Sequence, residues 1–187
     1  MGIYKDVMGT LVRVLAADNI DNSTKQSWQK LIDADLRQGG TGSSLSVRDK
    51  FDYDCCLYAL LHRQLEPAHW DVLVAKYSTH KANKVAAIGR LVARMVSPAP
   101  QLFIYKALTA WAIPQLKGVQ TGKRSTDMIV LPAEFYDMNT WDLEASPERT
   151  RRNWRGGIHK RLEQIEEAAV IHATEIFDQE QIFVDAA

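Results

Sequence analysis

Near the C-terminus, Ile158, Leu162, Ile165, Ala169, His172 and Ile176 recur at alternating spacings of four and three. That rhythm matches the turn of an α-helix and makes a seam that must pack on other helices. The run starts at a strong helix-initiating signal, Ser146-Pro147-Glu148: a capping serine, a proline suited to the first turn, and an acid beside it. One long C-terminal helix is therefore expected. Gly156-Gly157 is expected to interrupt it, at about 1 kcal/mol per glycine held helical.

The same period recurs upstream. Val7, Leu11, Val14 and Leu15 place a helix over 3–17, and Trp28, Leu31 and Ile32 place another over 23–36. The Gln38–Ser44 stretch reads as a flexible linker or loop. A helix over 52–64 is rich in apolar residues, Cys55 and Cys56 among them, and Pro67 opens the next, with Trp70, Leu73, Val74 and Tyr77. Val85, Ile88, Leu91, Val92 and Met95 mark a helix over 83–96; Ser97-Pro98-Ala99-Pro100 breaks it, and another runs over 101–113. Residues 118–126 read as a basic loop. Residues 128–131 read as a strand or an extended lead-in, and 132–138 as a short helix. The fold class is all-α, divided into N-terminal helices over 1–37 and a larger helical domain over 45–187.

No run of about 18 apolar residues exists, so no membrane span is expected, and the first residues lack the basic-then-apolar pattern of a secretory leader. Two adjacent cysteines cannot build a disulfide framework, which points to a reducing compartment, the cytoplasm. Cys55, Cys56, His62 and His69 lack metal-ligand spacing, and a helix interior accounts better for the cysteines. No nucleophile–base order, paired-carboxylate motif or phosphate loop occurs, so neither enzyme nor cofactor is expected.

The formal net charge is zero, but the charges are segregated. From Val72 to Thr126 there is no Asp or Glu, while nine Lys and Arg occur, Lys81, Lys84, Lys123 and Arg124 among them. From Glu148 to Arg161 six bases face one acid, and from Leu162 onward seven acids occur with no Lys or Arg. Such blocks build a local field that attracts a polyanion. Bases in the first turns of a helix oppose its macrodipole, so something else must favour them. Contact with DNA does so, through phosphates and base edges. Arg149, Arg152 and Lys160 fall on one face, Arg151 and Arg155 on an adjacent one, and Asn153 beside them. The expected DNA contacts are these six, with Lys81, Lys84, Lys123 and Arg124 holding phosphates.

Asp52-Tyr53-Asp54-Cys55-Cys56-Leu57-Tyr58-Ala59-Leu60-Leu61 and His69-Trp70-Asp71-Val72-Leu73-Val74-Ala75-Lys76-Tyr77 resemble the middle of the Q-type late antitermination proteins of lambdoid phages. The segment from Leu131-Pro132-Ala133-Glu134-Phe135 through Ser146–Thr150 to Leu162 resembles their helix-turn-helix, and the DNA-reading region of sigma factors. The resemblance covers about half the chain. Residues 78–127 would be an insertion, 137–145 exceeds the usual turn, and the zinc-binding cysteine spacing of one branch is missing. It implies a helix-turn-helix near 128–162 and a phage or prophage transcription factor. That factor would bind double-stranded DNA, load onto RNA polymerase and allow terminator read-through in the bacterial cytoplasm. The alternatives are a dimeric helix-turn-helix repressor or activator, a small nucleic-acid-processing enzyme, and an inhibitor that meets a protein partner with its basic face.

Overall fold

The computed structural model describes residues 6–22, 47–115 and 129–183. Among them only helices and turns form, and no strand: α1 (Val7–Asn22), α2 (Val47–Gln64), α3 (Pro67–Tyr77), α4 (Lys81–Arg94), α5 (Gln101–Ala112) and α6 (Glu148–Gln179). The expected helix over 23–36, the Gly-rich linker and the basic loop with Lys123 and Arg124 lie outside the described residues. Two compact units result, Met1–Glu66 with Val170–Ala187, and Pro67–Ala169. The last turns of α6 group with α1 and α2 in the first unit.

In the first unit Asp6 starts α1, its carboxylate accepting the Gly9 N–H at 2.6 Å. Leu11, Val14 and Leu15 are buried. On α2, spacings of three and four bury Asp54, Leu57 and Leu61. Asp54 is ion-paired with Arg13 of α1 at 2.8 Å. That inward face leaves Cys55 and Cys56 on the outside of α2, both exposed and neither bridged. The expectation of buried cysteines fails because the leucines, not the cysteines, define the packed face. Ala173, Ile176 and Phe177 supply the buried residues of the last part of α6.

The second unit holds α3, α4, α5 and the first 22 residues of α6. Its core includes Trp70, Leu73, Ile88, Leu91, Phe103, Leu108, Ile158 and Leu162, so the expected seam is spent on the protein's own packing. His80 caps α4, its Nδ1 accepting the Asn83 N–H at 3.2 Å. Pro100 precedes α5, which ends at Ala112 before Pro114.

The segment before α6 departs from a helix-turn-helix. Residues 129–132 form neither helix nor strand, and Ala133–Tyr136 and Met138–Thr140 are two 3₁₀ turns. Asp137 separates them: its backbone is extended and its carboxylate accepts the Asn139 N–H at 2.9 Å. That local bond competes with continuing the helix. Side chains then pin the turns, with Tyr136 Oη donating to the Ile113 carbonyl at 2.7 Å and Trp141 Nε1 to the Phe135 carbonyl at 2.7 Å. Among the described residues no α-helix precedes α6 where the first helix of the expected motif would stand, and the short helix expected over 132–138 is replaced by these turns.

Helix α6 is not interrupted at Gly156-Gly157. Their cost of about 2 kcal/mol together is offset by the flanking apolar residues, Ile158 and Leu162, each buried.

Candidate nucleic-acid interface

A turn closed by Asp142 leads into α6. Asp142 is buried, and its carboxylate accepts the N–H groups of Glu144 at 3.0 Å and Ser146 at 2.8 Å. Burial opposes its charge, but these hydrogen bonds and the nearby Arg151 guanidinium outweigh it and hold the carboxyl below its usual range. Ala145 sits at φ 51°, the left-handed region, to finish the turn. The first helical bonds run from Thr150 and Arg151 N–H to the Pro147 carbonyl at 2.9 and 3.2 Å.

Steps of three and four along α6 place Arg149, Arg152, Asn153, Gly156 and Lys160 on one side. All five are exposed. Arg152 holds the one acid of this region, Glu148, at 2.5 Å, and both side chains remain mostly in solvent. Such an exposed pair contributes little and opens readily to a stronger anion. At Gly156 an added side-chain carbon would meet nothing within 4 Å, so bare backbone lies in the middle of the cationic face.

The other expected contacts separate. Arg155 is exposed at the edge of this face, its guanidinium 5.8 Å from the centroid of the Trp141 ring. Trp141 is fully buried and meets Phe103 edge-on at 5.4 Å; Trp154 also meets Phe103 edge-on, at 5.5 Å. Arg151 turns inward: it is half-buried, its Nε is enclosed without a hydrogen-bond partner, and its charge serves Asp142. It leaves the interface. Next to the face, His159 Nε2 lies 3.2 Å from the Ala107 carbonyl, and burial, with Arg155 beside it, lowers its pKa.

Lys84 is the clearest correction. Its ammonium does not face solvent but is buried, donating to the carbonyls of Ala75 at 2.6 Å, Lys76 at 2.9 Å and Ala112 at 3.4 Å. These carbonyls end α3 and α5, where helix dipoles are negative and the last carbonyls lack helical partners. Burial lowers its pKa from the usual 10.5 to about 8. Lys84 is a structural cation and cannot reach a phosphate. The sequence held a signal for this: Lys84 shares its helix face with Ala87, Ile88 and Leu91, all buried. Lys81 is exposed at the start of α4, while Lys76, Arg90 and Arg94 are engaged by carboxylates, Glu166 for the first and Asp71 for the other two.

Among the described residues no group of three or more His, Cys, Asp or Glu is placed to hold a metal ion, and no helix is long and apolar enough to cross a membrane. Comparison with known protein families, curated proteins and solved structures gives no match.

Proposed function

We propose that this protein binds double-stranded DNA through the exposed face of the first turns of α6. The observation that carries the reading is the alignment of Arg149, Arg152, Asn153 and Lys160 along one solvent-facing side, with Gly156 in their midst. Guanidinium groups and an amide suit phosphate oxygens and base edges, and a glycine lets a sugar–phosphate chain approach the helix closely. Arg155 extends the cationic surface at its edge, and Lys81 is exposed at the start of α4. The role itself, a transcription regulator of the antitermination type working with RNA polymerase, rests on the sequence resemblance of 52–61 and 69–77 to late antitermination proteins and is part of the same proposal.

Two assays test the two levels. Fluorescence anisotropy with a labelled duplex compares the wild type with Arg149→Ala/Lys160→Ala, two exposed changes that leave the core intact. A loss of about tenfold or more in affinity is expected, since phosphate contacts dominate such binding. Equal affinity of the double variant removes this face as the interface. Transcription across a terminator with purified polymerase, with and without the protein, tests the regulatory level; unchanged termination alongside intact DNA binding leaves a repressor or activator instead.

A further inference from the structure

The second unit contains a groove of about 470 Å³ where the start of α3, the end of α4 and the middle of α6 meet. Its lining is sharply divided in chemistry. Ala68 from α3, Leu91, Met95 and Val96 from the α4 side and Ile165 from α6 are apolar; the polar residues of the lining are Arg94 and Arg161. Val96 stands at the rim, 98% exposed. Arg94 Nη1 donates to Asp71 Oδ2 at 2.6 Å, which fixes that side chain while leaving its other nitrogens available. Arg161 is exposed and makes no ion pair among the described residues. No carboxylate lines the groove, and Glu166, the acid next to Ile165, is engaged by Lys76 and Tyr77.

We propose that this groove binds a small amphipathic anion, an aliphatic or aromatic body with one carboxylate head. The body lies against Leu91, Met95 and Ile165, and the head meets the Arg161 guanidinium, with Arg94 as a second donor. The volume is within the range of about 300–1,000 Å³ typical of small-molecule sites, and a planar guanidinium takes a carboxylate with two parallel hydrogen bonds. Charge selects the ligand: an apolar wall alone would accept a neutral molecule, but Arg161, which pairs with no acid among the described residues, favours an anion. Helical steps place Arg161 and Ile165 on a different side of α6 from Arg149, Arg152 and Lys160, so the site stands or falls independently of DNA binding.

The test is a titration of the isotopically labelled full chain with decanoate, below its micelle concentration, followed by amide shifts, with decanol and acetate as controls. Saturable shifts at Leu91, Met95 and Ile165 are expected with decanoate, and binding at least about tenfold weaker with either control. Arg161→Gln, and separately Val96→Asp, which sets a negative charge at the rim, should each weaken decanoate about tenfold or more, while Arg149→Gln leaves it unchanged. Both substitutions fall on exposed side chains, so folding is preserved. Decanol binding as tightly as decanoate, an Arg161→Gln variant of wild-type affinity, or shifts that never saturate at these three residues would overturn the proposal.

Discussion

Replacing Lys84 by Met keeps the length of the side chain and removes its charge and donors. The buried ammonium makes three hydrogen bonds to helix-end carbonyls but gives up hydration, and burial outweighs the bonds enough to lower the pKa from 10.5 to about 8. A base whose pKa is lower in the folded than in the unfolded state favours unfolding while both states are protonated. That cost is relieved as the pH rises from the folded value towards the unfolded one. Below about pH 7 the wild type carries the whole cost. By about pH 10 the folded lysine is neutral while the unfolded one remains mostly charged. Linkage then makes the wild type about 2.5 kcal/mol more stable at about pH 10 than at about pH 7 from this group alone. The methionine variant has no such gain. Urea unfolding of both proteins across that range, followed by circular dichroism, should show the stability difference between wild type and Lys84→Met moving in favour of the wild type by about 2–3 kcal/mol. Titrations common to both chains, Tyr77 included, largely cancel in that difference. Parallel pH profiles would refute the reasoning and put the Lys84 ammonium in water.

Gly156→Ala and Gly157→Ala should each stabilise the protein by up to about 1 kcal/mol in thermal or urea melts, because both glycines are helical and open to solvent. If DNA approaches the helix at Gly156, its alanine variant binds duplex more weakly despite the gain in stability. Asp142, held below its usual carboxyl range, contributes stability at neutral pH that is lost as the pH falls through its folded pKa. Asp142→Ala should therefore destabilise the protein at about pH 7 and show a shallower acid-side loss than the wild type in pH-dependent melts.

Much of the helical framework was legible because apolar period alone determines it. The helix expected over 101–113 is α5 within a residue, and the helix expected over 83–96 is α4 shifted two residues towards the N-terminus, where His80 caps it earlier than the apolar pattern begins. The spacing from Ile158 onward marks a packing surface, and Ile158, Leu162, Ala169 and Ile176 are buried. What failed was decided by local bonds or by competition between faces. The turns at 133–140 depend on Asp137 bonding its own backbone, which no period reveals. The glycine pair does not stop α6, because breaking there would expose Ile158 and Leu162. At the candidate site the exposed face of Arg149, Arg152, Asn153 and Lys160 follows from helical spacing. Arg151 and Lys84 needed the fold, since composition counts a base without showing which way it points. For Arg151 the decisive partner, Asp142, lies in a turn; for Lys84 the partners are backbone carbonyls.

The central claim, that α6 offers a cationic face to a duplex, is tested most directly by the salt dependence of binding. Arg149, Arg152, Arg155 and Lys160 amount to about four phosphate contacts, so the logarithm of the binding constant should fall against the logarithm of salt concentration with a slope of about −3 to −4. In the Arg149→Ala/Lys160→Ala protein the slope should become shallower by about 2. A slope near zero, or an equal slope in both proteins, would contradict the account.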